Sequence, residues 1–380
     1  LSTLGRQFGY ATGSGNSLRT AIDNPSPEKI RGEYEPHMRG MIFLSAVFDA
    51  FFSVFERRTR DLVRLSGGQL PTGASAELHP DLLNRLADEA SRVAQSLMDR
   101  CIRAFDYLPP VDITFGDYLR ALVTADFELT PEDEQGLRAA LIEAFRRRSI
   151  YPAGISSFAE ESLLWEQWSV QKHLHPKAEM AVELMNINTL QQLVRASSFE
   201  RDQAIEAQDR SRGSPSAVTS THENDLDSET FSYLHGFARR NYEGLRLDPN
   251  PNSPIEVNSF YSVFRILPNG RPRIEHVVQF TQLVKGSEKD FGGIPLRGGS
   301  TMILSAVGEV RYVISKPLPK ARGLSTQEAK AAETRLLAQE RHLGLLDSLD
   351  PCAPYYSKAD RSQRMKLRTR LSAIHQGYRS

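Results

Sequence analysis

The chain has almost no cysteine. Only Cys101 and Cys352 occur in 380 residues, far apart in sequence. Two such residues exclude a disulfide-rich secreted scaffold and a CxxC metal site. This usage is typical of a reducing compartment, so a cytoplasmic location is the expectation.

Net charge is also lacking, because 47 basic residues balance 47 acidic ones. The molecule therefore has no global field that would attract nucleic acid or an anionic membrane. A basic run at 358–380 is typical of a solvated tail, although it could bind phosphate backbones. Nucleic acid is not an expected partner.

No apolar run reaches the roughly 20 residues that a membrane span requires. The most apolar stretch, Met41 to Phe55, is shorter and contains Asp49. We therefore predict a core helix here and no membrane partner, because a helix that is apolar all round is typically buried. A signal-peptide pattern is not visible, and the first residue is Leu1, which suggests a chain cut from a longer one.

Helical periodicity dominates the first part of the chain. After the helix that starts at Met41, one amphipathic helix is predicted from about Asp81 to Tyr107. Thr114 is predicted to cap the next helix, and Thr130, followed by Pro131, to cap one that ends near Arg148. Residues 1–170 are thus predicted to form a mainly α-helical domain, followed by a helical connector at 171–199.

The character of the sequence changes after residue 199. Residues 200–228 are too polar to offset chain entropy and are predicted to be a disordered linker. Residues 229–318 then predict a small α+β domain with an antiparallel sheet, since Asn269-Gly270 is a strong hairpin-turn signal. Residues 319–380 are predicted to form a helix and the basic tail.

The main candidate site is the segment from Glu33 to Arg39, directly before the apolar helix. His37 stands where the loop enters the helix, and its ring can donate a hydrogen bond to a developing oxyanion. Glu33 or Glu35 could orient that ring and raise its pKa. Arg39 could contact a substrate or close the loop. On spacing alone, a histidine near a helix start is more often a cap or a surface residue.

These residues resemble the C-terminal lobe of thermolysin-like (gluzincin) zinc metallopeptidases. In that family a histidine before a buried helix of this lobe stabilises the tetrahedral intermediate of peptide hydrolysis, and His37 matches it. The motifs at 46–51, 77–86, 109–122 and 142–148 are similar to a group of bacterial proteins whose longer forms carry a gluzincin domain upstream. The resemblance implies a peptide or protein substrate and an upstream zinc-binding domain as partner.

The chain departs from the family in one decisive respect. HExxH, which supplies two zinc ligands and the general base, occurs nowhere in it. His173 and His175 offer only two ligands. Zinc is therefore expected only in an upstream half, none bound by this chain, and the chain is predicted to be inactive alone. The alternative is a non-catalytic protein-interaction module on a relic peptidase scaffold.

Overall fold

The protein combines helices with one four-stranded antiparallel sheet, as the sequence predicted. A computed structural model describes residues 25–33, 36–66, 79–168, 223–266, 270, 272–285, 295–306 and 308–348. The helices are α1 (Lys29–Gly32), α2 (Pro36–Leu65), α3 (Pro80–Ala104), the 3-10 turn Phe105–Tyr107, α4 (Phe115–Leu129), α5 (Leu137–Arg146), α6 (Glu160–Leu163), α7 (Glu223–Arg240) and α8 (Thr326–Ser348). The strands are β1 (Ile255–Ile266), β2 (Pro272–Lys285), β3 (Pro295–Ser305) and β4 (Val310–Lys316).

The chain divides into two compact units. Among the described residues, the first unit contains α1 to α6 and also residues 263–275, where β1 and β2 meet. The second unit contains α7, α8 and the rest of the sheet, with residues 110–112 and Trp168.

Helix α2 is buried on one face only. Ile42, Ala46, Ala50 and Val54 recur at four-residue steps and are buried, whereas Phe52 is 38% exposed. The prediction that this helix lies buried on all sides is therefore wrong. By length and composition alone, α2 is also apolar enough to cross a membrane, because an 18-residue window within Met38–Leu65 has a mean hydropathy of 1.6.

Helix α4 occupies the centre of the first unit instead. Every residue from 121 to 126 is buried, and so are Tyr118 and Leu119. The predicted cap at Thr114 is confirmed: its hydroxyl accepts from the Asp117 backbone N–H at 3.1 Å, and the Asp117 carboxylate accepts from the Thr114 backbone N–H in return. This reciprocal capping box satisfies two N–H groups at the buried start of the helix.

Three predicted helix starts are displaced. Helix α2 begins at Pro36 and not at Met41, so His37 lies within its first turn. Helix α3 begins at Pro80, and His79 caps it by accepting from the Asp81 backbone N–H. Thr130 does not open the next helix, because its hydroxyl bonds back to the Asp126 carbonyl at the end of α4. Helix α5 starts only at Leu137, whose backbone N–H donates to the Asp133 carboxylate.

The sheet has the strand order β1-β2-β3-β4. Gly270 between β1 and β2 has a φ of 76°, as the predicted tight turn requires. Helix α7 packs on one face of the sheet. The core residues of this face are Leu234, Phe237, Ala238, Val278, Phe280, Met302 and Leu304.

Several predictions fall partly outside the described residues. Helix α7 begins at Glu223, so residues 223–228 of the predicted linker are helical. Residues 169–222, which include the whole predicted connector and the rest of the linker, lie outside the described part. So does the predicted basic tail at 358–380.

Candidate functional site

The predicted site lies at the entry to α2. Pro36 and His37 form the first turn of that helix, and Glu33 precedes it in an extended conformation. Glu35 and the side chain of His37 lie outside the described residues. The histidine is thus placed by its backbone at a helix N-terminus, where N–H groups have no intrahelical partner.

Arg39 closes this entry. Its Nη1 donates to the Glu33 carbonyl oxygen at 2.9 Å, and its guanidinium carbon lies 5.8 Å from the centre of the Phe115 ring. Both contacts are internal to the fold. Glu33 and Arg39 are therefore brought together through the backbone carbonyl of Glu33. This hydrogen bond holds the loop before α2. Closing the loop is one of the two roles that the sequence suggested for Arg39.

Aromatic rings hold the next turn of α2. Phe43 stacks on Phe115 with ring centres 4.8 Å apart. It also meets Tyr118 edge-on at 5.2 Å and Phe145 at 5.8 Å. Such pairs contribute about 0.5–1.5 kcal/mol each beyond burial. They anchor the start of α2 to α4 and to α5.

A buried ion pair that sequence reasoning missed lies further along α2. The Arg148 Nη1 donates to Asp49 at 2.9 Å, and its Nε donates to the Ser45 hydroxyl at 3.0 Å. The sequence signal was present, because Asp49 interrupts an apolar run. Its partner lies 99 positions away, however, and no pattern in the sequence connects the two.

A second buried network surrounds Asp126 on α4. Its two carboxylate oxygens accept from Arg100 Nε at 2.5 Å and from Arg138 Nη1 at 2.8 Å. Arg138 Nε also lies 2.9 Å from a Glu160 carboxylate oxygen. The network borders a cavity of about 370 Å³ rimmed by Glu132 and other acidic residues. Since carboxylates neutralise both arginines, the arrangement is structural.

A third cluster joins the 3-10 turn to residues 263–275 within the first unit. Arg103 is 4% exposed, and its Nη2 lies 3.3 Å from both Glu275 and the Tyr107 hydroxyl. Burial, assisted by the charge of Glu275, raises the pKa of Tyr107, which therefore stays protonated. Arg273 bridges Glu275 and Glu128 at 3.2 and 2.7 Å.

One serine–histidine pair lies in the sheet. The Ser262 hydroxyl on β1 is 2.9 Å from His276 Nδ1 on β2. Burial lowers the pKa of His276, so the ring is neutral at pH 7. His276 is only 1% exposed, so a substrate cannot reach it. The pair is therefore a cross-strand hydrogen bond and not a nucleophile with its base.

The described residues do not form a zinc site. Within them, no group of three His, Cys, Asp or Glu side chains is arranged to hold a metal ion. His173 and His175 lie outside the described part. That an upstream segment holds zinc stays a prediction.

Comparison with known proteins does not assign the chain to a family. No protein-family model matches the chain, and neither a curated protein nor a solved structure matches it.

Proposed function

We propose that the helical unit is the C-terminal lobe of a gluzincin-type metallopeptidase, in which His37 donates a hydrogen bond to the oxyanion formed during peptide hydrolysis. One observation carries the proposal. The Arg39–Glu33 bond holds the loop that leads into the first turn of α2, where His37 stands. A donor that is held in place before the reaction needs no reorganisation when charge develops, which is the basis of oxyanion stabilisation.

The zinc ligands and the general base belong, in this proposal, to a separate zinc-binding domain. The 380-residue chain lacks HExxH and therefore has no group to activate water. Alone, with zinc added, it should not hydrolyse peptides.

The test uses the complete gene product that contains this chain. If an HExxH helix is encoded in frame, His37→Ala should lower kcat about 10²–10³-fold with little change in KM, the usual loss for one oxyanion donor. His79→Ala is the matched control, because His79 only caps α3 and should leave kcat unchanged. Peptide hydrolysis by the isolated chain that survives His37→Ala would refute the proposal. So would a gene without an HExxH motif.

A second candidate is a protein-interaction module that acts through strand addition. The observation in its favour is the Trp168 backbone N–H, which donates to the Arg311 carbonyl on edge strand β4 at 2.8 Å. This hydrogen bond shows that a backbone N–H from outside the sheet can pair with the β4 edge. Strand β1 forms the opposite edge of the sheet. Its backbone, 12 residues long, can hydrogen-bond to an extended peptide.

This candidate is tested with peptides selected on the chain from a random library. Along an edge strand, successive backbone N–H groups point alternately toward the sheet and toward the open edge. Proline has no N–H, so either Asn258→Pro or Ser259→Pro removes an N–H from the open edge of β1. That variant should lose peptide binding, whereas the alanine variants at both positions should retain it. Equal binding by all four variants would exclude strand addition at β1.

A further inference from the structure

Helix α2 has a third face that the described residues of the first unit leave open. Its other sides are held by Arg58, which pairs with Glu89 on α3 at 2.8 Å, and by Arg57, which donates to the Gly136 carbonyl at 3.1 Å. A groove of about 450 Å³ follows the remaining face. The lining residues, hereafter the α2 groove, are Phe52, Phe55, Glu56, Thr59, Arg60, Val63 and Arg64.

The α2 groove combines apolar and charged groups in a fixed order. Phe52 is 38% exposed, and it meets Phe51 edge-on at 5.3 Å as part of a row of phenylalanines. Glu56 and Arg60 are both exposed, and within the described residues neither makes an ion pair. A partly exposed aromatic row with unpaired charges beside it is typical of a contact surface.

We propose that the α2 groove binds the α2 groove of a second copy of this chain, with the two helices antiparallel about a twofold axis between positions 57 and 58. In this register Phe52 lies opposite Val63 of the second copy. Phe55 lies opposite Arg60 of the second copy, where a cation–π contact forms. Glu56 lies beside the same arginine, so each apolar and ionic contact occurs twice.

The order of Glu56 and Arg60 along α2 favours a second, antiparallel copy of the chain as the partner. Parallel helices would place Glu56 against Glu56 and Arg60 against Arg60, which is repulsive. An acidic partner helix or an anionic bilayer would attract Arg60 and Arg64 but oppose Glu56. The antiparallel arrangement of two identical grooves instead places Glu56 of each copy beside Arg60 of the other.

The size of the contact sets the strength of the association. From Phe52 to Val63 the two grooves face each other over about 17 Å of helix, at 1.5 Å per residue. A contact of this length belongs to the small, transient class of interfaces, so we expect a dissociation constant of about 10–100 µM. The proposal is independent of the peptidase proposal, because it involves neither His37 nor zinc.

Sedimentation of the full 380-residue chain tests the association. Between about 1 and 500 µM, a range that spans transient interfaces, the weight-average mass should rise reversibly from monomer to dimer. Phe52→Glu should leave a monomer throughout this range. Leu83→Glu is the matched control, since Leu83 is an exposed apolar residue of α3 outside the groove and should not change the dimer. Circular dichroism checks that both variants fold.

Charge reversal tests the antiparallel register. Glu56→Lys and Arg60→Glu should each weaken the homodimer about tenfold, because each places like charges together at two related positions. Mixed in equal amounts, the two variants should form a heterodimer that is tighter than either homodimer but weaker than wild type, because one of the two Phe55–Arg60 cation–π contacts is lost. In that heterodimer the lysine introduced in one copy faces the glutamate introduced in the other, and the native Arg60 faces the native Glu56. With a different protein as the partner, mixing the two variants would not restore association.

Three results would overturn the proposal. The first is a wild-type chain that stays monomeric over the whole range. The second is a mixture of the charge variants that associates no better than either variant alone. The third is a monomer that binds vesicles of phosphatidylcholine and phosphatidylglycerol and loses that binding in Phe52→Glu, which would assign the groove to a membrane surface.

Discussion

At the scale of single residues, buried charges are paired through the folded structure. Asp126 is 1% exposed and accepts from two arginines, Arg100 and Arg138. Asp49 meets Arg148 in a similar way. Burial makes a charge costly unless a partner and hydrogen bonds compensate for the lost water, so these groups depend on each other.

Asp126→Ala should therefore be strongly destabilising. The substitution leaves the nearly buried Arg138 without one of its carboxylates, and breaking such a pair costs about 3–5 kcal/mol. Urea unfolding followed by circular dichroism measures the loss. Asp81→Ala is the control, because Asp81 is highly exposed and its removal should change the free energy of unfolding by less than about 0.5 kcal/mol. Equal effects at both positions would contradict the buried network.

The ion pairs of Glu143 should make the stability of the fold depend on pH. Hydrogen bonds from Arg146 and then Arg147 lower the pKa of Glu143 from 4.5 to about 2. The pKa of Glu143 is lower in the folded protein than in the unfolded chain. These hydrogen bonds therefore stabilise the fold above pH 4.5, and that stabilisation is lost as the pH falls through about 2. The side chain is 41% exposed, so solvent screening limits the effect to below about 1 kcal/mol.

The measurement compares wild type with Glu143→Gln. Urea unfolding at about pH 5 and at about pH 2.5 should show wild type losing slightly more stability on acidification than the variant. A variant with the same pH dependence as wild type would show that solvent screens these pairs completely.

At the scale of elements, close approach constrains the start of α4. Gly116 lies in its first turn, and a Cβ there would stand 2.6 Å from Pro152 Cα and 2.7 Å from the Tyr151 carbonyl oxygen. Backbone atoms cannot yield as a flexible side chain does. The chain that follows α5 therefore packs against α4 only because this position is glycine.

Gly116→Ala should destabilise the protein by about 1–3 kcal/mol, the usual range for overpacking. Gly236→Ala in α7 is the matched substitution, because its Cβ would meet only the flexible end of Arg240 at 3.3 Å. There the higher helix propensity of alanine should stabilise the protein by about 0.5–1 kcal/mol. Thermal unfolding distinguishes the two, and a stabilised Gly116→Ala would contradict the close packing.

At the scale of the whole molecule, balanced charge governs behaviour in solution. The formal net charge is zero and the isoelectric point is about 7.3. Without a net field, colloidal repulsion between copies is weakest near this pH.

Solubility should therefore pass through a minimum near pH 7.3 and rise on either side. Precipitation with polyethylene glycol from about pH 6 to about pH 9 measures it. Phe52→Glu should shift the minimum to lower pH, because it adds a negative charge. A flat solubility profile would show that charge balance does not control association.

Local sequence signals determined much of the fold. The Thr114–Asp117 capping box, the connection of β1 to β2 through Gly270 and the helix that ends near Phe105 all depend on residues close together in the chain. Hydrogen bonds within one turn or one hairpin satisfy such signals, so they act before tertiary contacts form. The position of His37 at the entry to a long apolar helix was predictable for the same reason.

Tertiary structure decided what depends on distant residues. Apolar content favoured α2 as the central helix, yet α4 is buried on nearly all sides because α3, α5 and α6 pack around it. Thr130 had the features of a helix cap but bonds back to α4, since Arg138 takes the carbonyls of Thr130 and Pro131. The partners of Asp49 and Asp126 follow the same rule: an ion pair needs only proximity in space, which folding supplies and local sequence does not encode.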